Sequence, residues 1–521
     1  MRKLSTKAKL IALAAASTLV LSACSGGGST NTAETATDKQ SGATAITAAV
    51  GYKTDNYHPS TTSSALALGS NWHVVEGLYE LEKGTFKPFR ALAADDEPTK
   101  VSDTEYTVKL RDGAKFSDGT AVTAADVVAS FKRTNAEGNL YVSMLSFIED
   151  VTEVDTNTVS IKLKYPFSLL KERLSLIKIV PAAASDEDLT SMPVGSGPWK
   201  YDSITETGLK FSPNEHYNGT MPATAKTMEW QILMDDTARV TALQEGTVQV
   251  AENIPADAVE TAERNGATVT SVQGFGLPFL MFNTSKAPFD KKEVRQAFHY
   301  AINTEQLIEN ALSGKAEPAT SFLPENHPNY NKAANVYDHN PEKAKQLLAE
   351  AGVSDLSVTL LTTDHGWITA MAPQIQNDLQ AVGINVTIQS EASSSLYANY
   401  ADAEAASYDL ALAPGDPSVF GNDPALLMNW WYGNNVWTQK RSYWGTSPEF
   451  AQLQTILEAS VKAEGEEQQK LWNQAFDLVA TEVPLYPLLH RQVSTGFYAD
   501  QLDGYTPIGT TGLNFVGVSL K

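Results

Sequence analysis

The stretch MEWQILMDDTARVTALQEGTVQVAENIPADAVETAERNGATVTS, residues 228–271, alternates segments typical of strands with segments typical of helices. It predicts strands at residues 228–233, 248–251 and 267–271, with helices at residues 237–244 and from Pro255 to Gly266 between them. Gly246 ends the first helix and Gly266 ends the second. A βαβαβ order of this kind indicates a sheet with helices packed on both of its faces.

A second run of the same kind begins at Asn340, where Asn-Pro-Glu starts a helix that Gly352 ends. Residues 357–361 then predict a strand, residues 367–382 a helix ended by Gly383, and residues 385–389 another strand. Two α/β lobes are the simplest account of two such runs.

The chain that precedes residue 228 has a different pattern. Residues 105–110 and 157–163 alternate polar with apolar side chains, as half-buried antiparallel strands do. A helix is predicted between them, because Thr123 and Asp126 have the spacing of a capping box at its start. We therefore expect an antiparallel insertion that carries one helix.

The segment LRDGAKFSDGTAVTAADVVASFKR, residues 110–133, resembles the signature segment of the family 5 extracellular solute-binding proteins, the dipeptide, oligopeptide and nickel receptors of ABC importers. Four further stretches resemble the same family in the same order. They are VGSGPWK at residues 194–200 with residues 214–219, residues 282–303 with VRQAF and AIN, the helix at residues 340–352, and EVPLYPLLH at residues 482–490. The resemblance covers nearly the whole chain from about Ala45 onward.

This resemblance implies an α/β, two-lobe periplasmic-binding-protein-like fold (type II, cluster C-like) with a two-segment hinge and an extra α+β subdomain in the first lobe. The expected boundaries are residues 45–78, 194–275 and 492–521 for lobe I, residues 79–193 for the inserted subdomain and residues 276–491 for lobe II. In such a fold the lobes close over a solute in the cleft between them.

The amino terminus has the features of an export signal. Basic residues at positions 2, 3, 7 and 9 precede an apolar stretch at residues 10–20, which is too short to span a bilayer, since spanning needs roughly 20 residues. Cys24, the single cysteine, ends this stretch in LSAC, as in bacterial lipoproteins, where the cysteine is lipidated. We predict a lipoprotein signal peptide at residues 1–23 and lipid attachment at Cys24. The alternative is an ordinary secretory leader with an incidental cysteine.

Residues 24–44 are mostly Gly, Ser, Thr and Ala, a composition that predicts a flexible tether. The net charge of −22 makes nucleic acid an unsuitable partner. A single cysteine allows no internal disulfide, so stability must come from the cores that a chain of 521 residues can bury. With the resemblance, these features predict a monomer on the extracytoplasmic face of a bacterial membrane, at the cell surface or in the periplasm.

The resemblance also implies an amine-binding carboxylate. In the peptide-binding members of the family, an aspartate after a strand of the second lobe pairs with the amino terminus of the peptide. Residues 408–416, YDLALAPGD, resemble that strand and place Asp416, after Gly415, in this role. A carboxylate that faces an ammonium group selects for a free amine. The alternative is that Asp416 caps the loop that follows it.

Other ligand contacts are expected from four parts of the chain. Residues 61–65 resemble the first-lobe segment whose backbone pairs with an extended peptide as an added strand. Aromatic rings near residue 430 suit varied side chains or sugar rings, and core packing is the alternative for each of them. The remaining candidates are Thr61, Thr62, Ser63, Ser64, Trp430 and Trp431, with Tyr141 in the inserted subdomain and Phe275 and Phe279 near the hinge.

The sequence has no strong catalytic pattern, so we expect a binding protein that is not an enzyme, with no catalytic residue, metal or cofactor. The expected function is a lipid-anchored receptor that captures peptides and delivers them to an ABC permease. Within this class of receptor, the alternative ligands are an oligosaccharide, on whose sugar rings tryptophans could stack, and nickel, for which the sequence offers no histidine cluster. From a different class, the rival is a surface-anchored hydrolase or an adhesin.

Overall fold

The computed structural model describes residues 44–404 and 407–521, which are built around two open sheets. The larger sheet has the strand order Thr268–Gln273, Leu489–Phe497, Val250–Ala251, Ala45–Val50, Thr227–Ile232, Gly208–Pro213 and Trp199–Thr205, and Ala316–Pro318 pairs with Leu489–Phe497 outside this path. Ala45–Val50 runs parallel to both of its neighbours. The sheet thus combines segments from four distant parts of the chain.

The second sheet has five strands. Their order is Asn385–Glu391, Ser357–Thr363, Leu410–Gly415, Leu277–Phe282 and Leu485–Pro487. Ser357–Thr363 is parallel to both of its neighbours, whereas Leu277–Phe282 is antiparallel to both of its own. Every residue of Leu277–Phe282 is buried, so both faces of this strand are covered.

The predicted antiparallel insertion is present. Its four-stranded sheet has the order Thr99–Ser102, Glu105–Lys109, Thr158–Leu163 and Ile148–Asp155. The capping box forms as predicted, because the Thr123 amide donates to Asp126 Oδ2 at 2.8 Å. The helix that it starts, Ala124–Thr134, buries Val127 and Phe131.

Helices and short pairs of strands complete the fold. The two-stranded pairs are Tyr79–Leu81 with Pro88–Arg90, and Leu502–Asp503 with Ser519–Leu520. The other α-helices are Ala65–Val74, Val142–Leu145, Leu170–Leu174, Asp186–Ser191, Asp236–Gln244, Val259–Glu263, Lys292–Ala301, Thr304–Leu312, Pro341–Glu350, Gly366–Ala381, Ser393–Leu396, Pro424–Tyr432, Pro448–Ser460 and Gly465–Glu482. Ala256–Ala258, Pro417–Val419 and Trp444–Thr446 form 3₁₀ turns, and Tyr397–Ala401 and Trp437–Arg441 form π turns.

The run at residues 228–271 forms the predicted strands and helices, but its third strand does not lie beside its second. Leu489–Phe497 lies between Val250–Ala251 and Thr268–Gln273 and is antiparallel to both. The second run matches the prediction more closely, with Ser357–Thr363 and Asn385–Glu391 paired in parallel. The larger sheet is therefore complete only when a strand near the carboxy terminus has joined it.

A cluster of aromatic rings covers one face of the larger sheet. The Trp230 ring centroid lies 5.7 Å from Phe211, 6.0 Å from Phe515 and 5.5 Å from the imidazole of His73. Burial of one such side chain contributes roughly 1.5–3 kcal/mol. Phe515, only a few residues from the end of the chain, is thus held in the core of the larger sheet.

Among the described residues, no helix has the length and apolar character that crossing a membrane requires. The predicted signal peptide and the lipid-bearing Cys24 lie outside the described residues, so lipid attachment stays a prediction.

Candidate ligand-binding site

Two chain crossings run side by side from one sheet to the other. Residues 274–276 form the first crossing, and Leu488 forms the second. Arg491, in the strand Leu489–Phe497 just after it, donates its amide to the carbonyl oxygen of Gly276 at 2.7 Å. Gly274 has no room for a side chain, because a Cβ there would lie 1.7 Å from the carbonyl oxygen of Gly509. Backbone therefore packs directly on backbone where the two sheets meet.

A cavity of about 730 Å³ lies beside these crossings. Residues within 51–53 and 234–257, in segments that connect strands of the larger sheet, line part of its wall. Residues within 310–315 and 364–370, in or beside the helices Thr304–Leu312 and Gly366–Ala381, line another part. Small-molecule sites in proteins commonly have volumes of roughly 300–1,000 Å³. The charged and aromatic groups in its wall include Tyr52, Lys53, Lys315, His365, Trp367 and Arg491.

Arg491 stacks on Trp367 in the wall of this cavity. The guanidinium carbon lies 4.5 Å from the centroid of the indole ring. Burial lowers the pKa of Arg491, whereas Tyr52, Asp416 and Glu252 act on it through space in the opposite direction. Within the described residues, no carboxylate oxygen comes within 4.0 Å of this guanidinium.

Glu252 lies behind the same wall and is fully buried. Its Oε1 accepts hydrogen bonds from the Gly512 amide at 2.7 Å and from the Tyr52 hydroxyl at 3.1 Å. Its Oε2 has no hydrogen-bond partner among the described residues. Burial raises the pKa of Glu252, although these hydrogen bonds and Arg239 act to lower it.

Asp416 follows the strand Leu410–Gly415, as expected, and both of its carboxylate oxygens accept hydrogen bonds. Oδ1 accepts from the Ser418 amide at 3.2 Å and from the Ser418 hydroxyl, so the capping contact of the alternative interpretation is present. Oδ2 accepts from the amide and the hydroxyl of Thr511 at 2.9 and 2.8 Å. This tie to the carboxy-terminal segment was not expected from the sequence. Pairing of Asp416 with a ligand amine stays a prediction.

Three of the predicted site residues belong to one chain of contacts. The Tyr141 hydroxyl donates to the carbonyl oxygen of Thr62 at 2.7 Å. The Tyr141 ring meets Phe420 edge to face at 5.6 Å, and Phe420 lies 5.1 Å from Trp430. The structure thus brings Thr62, Tyr141 and Trp430 together, and Tyr141 occupies one of the two acceptor positions of the Thr62 carbonyl oxygen.

The structure places Phe275, Phe279 and Trp431 in the hydrophobic core, where they are 2, 0 and 1 % exposed. The Trp431 ring lies 5.8 Å from Phe275 and 5.6 Å from Phe279. Gly415 packs on the same indole, because a Cβ there would come within 2.4 Å of it. In this arrangement these four residues support the backbone beside Asp416 and do not face the cavity.

Thr61, Ser63 and Ser64 are the more exposed part of the predicted first-lobe segment. Thr61 and Ser63 are exposed, and Ser64 is half-buried just before the helix Ala65–Val74. The side-chain Nδ2 of Asn56 donates to the Thr61 hydroxyl at 3.3 Å. Neither this segment nor Asp416 lines the 730 Å³ cavity, so the predicted contacts and the cavity are neighbouring places.

The sequence interpretation missed Tyr52, Glu252, Trp367 and Arg491. They belong to four separate segments. Only tertiary folding brings Tyr52, Trp367 and Arg491 to one wall, with Glu252 behind it. A signal did exist for Arg491, which follows the apolar run at residues 483–489 and continues a buried strand. An arginine in such a place is seldom buried unless a partner compensates its charge.

A second cavity, of about 420 Å³, has Trp72 and Lys83 in its wall. Lys83 is 7 % exposed, and its Nζ lies 4.3 Å from the centroid of the Trp72 ring. Burial lowers the pKa of Lys83 to about 7, and the nearby charge of Lys178 acts in the same direction. No residue from the strands of the second sheet lines this cavity.

The part of the chain that the structure describes contains no group of three His, Cys, Asp or Glu side chains placed to hold a metal ion. Of the histidines, His365 lines the larger cavity, and its Nδ1 lies 3.1 Å from the Thr363 hydroxyl. A protein-built nickel site is therefore not found within residues 44–404 and 407–521.

The sequence is similar to known solute-binding proteins over most of its length. A family model described as bacterial extracellular solute-binding proteins, family 5 Middle, matches residues 87–438. The glutathione-binding protein GsiB of Pectobacterium atrosepticum is 31 % identical over 353 residues, which cover 65 % of this chain and 68 % of that protein. GsiB of Escherichia coli strain K12 is 27 % identical over 510 residues, covering 91 % and 94 % of the two chains.

The fold is similar to solved structures as well. The binding protein AgaA of A. tumefaciens R10, in complex with agropinic acid, superposes with a TM-score of 0.80 at 25 % identity. The match covers 92 % of this chain and 99 % of AgaA. The predicted α/β periplasmic-binding-protein fold is thereby confirmed, whereas the predicted boundaries of the lobes stay a prediction.

Proposed function

Because the chain belongs to the family 5 bacterial extracellular solute-binding proteins, which are receptors and not enzymes, we propose that it captures short peptides beside the two chain crossings and delivers them to an ABC permease. The observation that carries this proposal is the cavity of about 730 Å³ with walls from segments beside both sheets. A solute held there contacts both halves of the molecule and can stabilise their closed arrangement.

The charges of the cavity support a zwitterionic ligand. Lys53, Lys315 and Arg491 supply positive charge to the wall, and Asp257 and Asp364 supply negative charge. A free peptide carries an ammonium group at one end and a carboxylate at the other, so both signs can be matched. A neutral oligosaccharide would leave these groups without a charged partner.

The relatives support the same class of ligand. Glutathione, the ligand after which GsiB is named, is a tripeptide with a free amine and free carboxylates. The ligand of AgaA, agropinic acid, is also an acid. We extend this chemistry to the present chain as a small, acidic, peptide-like solute.

We further propose that closure occurs between a lobe formed by residues 45–78, 194–275 and 492–521 and a lobe formed by residues 276–491. The two crossings support this division, because they connect the sheets through short segments at one place. A lipid on Cys24 would keep the receptor near its permease, and two or more acyl chains would suffice for stable anchoring. Cys24→Ala should then release the protein from washed membranes, and unchanged membrane retention of that variant would contradict the anchor.

Calorimetry and small-angle scattering test the receptor function together. We expect glutathione or the dipeptide Met-Leu to bind and to decrease the radius of gyration, whereas maltotriose should do neither. Binding of a peptide without compaction would contradict closure. Tight binding of maltotriose with no response to either peptide would contradict the peptide assignment and favour an oligosaccharide receptor.

A further inference from the structure

Arg491 differs from the other cations in the wall of the large cavity. Arg239 also lines this cavity, but its guanidinium donates to the carbonyl oxygens of Leu233, Glu252 and Asn253 at 2.8, 3.1 and 3.1 Å and to the Asp236 carboxylate. Lys53 is exposed to water, and the half-buried Lys315 stacks on no aromatic ring among the described residues, whereas Arg491 stacks on Trp367. The guanidinium of Arg491, by contrast, is partly withdrawn from water and has no carboxylate within 4.0 Å in the described part of the chain.

The position of Arg491 is fixed from two sides. Its backbone amide donates to the Gly276 carbonyl at 2.7 Å, which holds the residue at the crossing between the sheets. Its guanidinium lies on the indole of Trp367, at 4.5 Å from the ring centroid. Trp367 belongs to the first turn of the helix Gly366–Ala381, beside the second sheet. A guanidinium that stacks on a ring keeps its N–H edge available for hydrogen bonding.

The acidic groups near Arg491 accept hydrogen bonds from other residues, although Glu252 Oε2 has no partner among the described residues. Asp416 accepts hydrogen bonds from Ser418 and Thr511, and Glu252 accepts from Gly512 and Tyr52. They attract the guanidinium through space but do not reach its N–H groups. An arginine has five N–H donors, and an external anion in the cavity can satisfy those that face it.

We propose that Arg491, supported by Trp367, binds a carboxylate of the ligand and so restricts the ligand class to carboxylate-bearing solutes. This inference rests on the proposed function, in that it takes the 730 Å³ cavity as the place where the solute binds. A planar carboxylate matches the guanidinium fork with two parallel hydrogen bonds. A neutral sugar or an amidated peptide offers no such match and leaves the cation uncompensated.

The test compares acid and amide forms of one probe on native and variant protein. Calorimetry with Met-Leu and with Met-Leu amide should show a preference of at least about 30-fold for the acid on the native protein, because truncating one partner of a buried charge pair costs about 2–5 kcal/mol. In Arg491→Gln the acid should bind as weakly as the amide. Arg491→Lys should restore the preference only in part, since an ammonium group lacks the bidentate geometry.

Arg264→Gln is the matched control, because Arg264 is an exposed arginine that does not line the cavity. It should keep the native affinity and the native preference for the acid. Equal affinities of acid and amide for the native protein, or an unchanged preference in Arg491→Gln, would overturn the role of Arg491 and leave the receptor function in place.

A second measurement separates this inference from the peptide assignment. If neither form of Met-Leu binds, the peptide assignment is wrong. The role of Arg491 is then tested by mass spectrometry of the compounds that denaturation releases from the native protein and from Arg491→Gln. A carboxylate-bearing compound released from the native protein and missing from the variant supports the role of Arg491. Release of a compound without a carboxylate, release from both proteins alike, or release of nothing overturns it.

Discussion

Arg173 and Asp423 form a buried, two-pronged ion pair between the antiparallel insertion and a helix beside the second sheet. Arg173 Nη2 donates to Asp423 Oδ1 at 2.9 Å, and Nη1 donates to Oδ2. The two side chains are 2 and 9 % exposed. Asp423 Oδ1 also accepts from the Leu426 amide at 2.9 Å and thereby caps the helix Pro424–Tyr432.

Arg173→Ala should lower the free energy of unfolding by about 3–5 kcal/mol, because it leaves the Asp423 carboxylate buried without its partner. Urea denaturation followed by circular dichroism measures this change. Lys171→Ala, which removes a pair with the exposed Glu97, is the control and should cost no more than about 1 kcal/mol. Similar losses of unfolding free energy in the two variants would show that burial does not increase the contribution of the Arg173–Asp423 pair to stability.

His73 is fully buried and neutral in the folded protein. Its Nε2 accepts from the Phe515 amide at 2.8 Å, and its Nδ1 lies 3.0 Å from the Gly69 carbonyl, so Nδ1 must carry the proton. Burial lowers the pKa of His73 from 6.5 to about 4. Between these two pH values the unfolded chain binds a proton that the folded chain does not, so stability is lost as the pH falls through this window.

The His73→Gln variant should therefore show a flatter dependence of stability on pH. Between pH 6 and pH 4.5 the native protein should lose about 1–2 kcal/mol more than the variant, since one proton changes stability by about 1.4 kcal/mol per pH unit. Denaturation curves at several pH values measure the difference. The half-buried His216 provides the control, and His216→Gln should follow the native curve. Parallel curves for native and His73→Gln protein would contradict the expectation.

The lowered pKa of Lys83 predicts that the free energy of unfolding depends on pH above neutrality. Its pKa falls from 10.5 to about 7 on folding, chiefly through burial. Below about pH 7 the folded protein holds a buried charge, and between about pH 7 and pH 10.5 the unfolded chain binds the additional proton, so stability rises with pH.

Lys83→Met should consequently stabilise the protein at pH 6.5 by about 1–3 kcal/mol, the range measured for buried polar groups without full compensation. This gain should shrink at pH 9.5. Thermal denaturation at both pH values measures it, and Lys87→Met, at an exposed position of the same hairpin, is the control. A gain that is the same at both values would mean that the Lys83 charge is not its source.

Asp416 should select for a free amine if a ligand ammonium replaces one of its hydrogen bonds to Thr511. Asp416→Asn should weaken binding of Met-Leu by about 2–5 kcal/mol and leave the weaker binding of N-acetyl-Met-Leu unchanged. Thr511→Val removes the hydroxyl that donates at 2.8 Å but keeps the charge of Asp416, so it should retain the preference for the free amine. Equal affinities of the free and acetylated peptides for the native protein would show that Asp416 does not bind the ligand amine and only caps the loop that follows it.

The parts of the fold that could be predicted are those in which local pattern determines structure. The parallel pair Ser357–Thr363 and Asn385–Glu391 is linked by a single helix, and the capping box of Thr123 and Asp126 lies within four consecutive residues. The place of Leu489–Phe497 could not be predicted, because its partners Val250–Ala251 and Thr268–Gln273 are more than 200 residues away in sequence and no local pattern specifies such a pairing.

In the candidate site, too, only features determined by local sequence could be predicted. Asp416 could be found because it follows its strand directly in sequence, and its contact with Ser418 is local. The stacking of Arg491 on Trp367 joins two segments more than 100 residues apart, and each residue taken alone suits an ordinary buried position. Likewise, aromatic content alone did not distinguish Trp431, which lies in the core, from Trp430, which is half-buried.

The last residues of the chain impose an order on its biosynthesis. Thr511, Gly512 and Phe515 donate their amides to Asp416, Glu252 and His73, at 2.9, 2.7 and 2.8 Å. Until this part of the chain is present, those three acceptors lack their donors and the larger sheet lacks the strand Leu489–Phe497. Contacts between such distant residues form late, because a long loop must close first. A truncated translation product that ends before residue 489 therefore lacks this strand and the part of the cavity wall that contains Arg491.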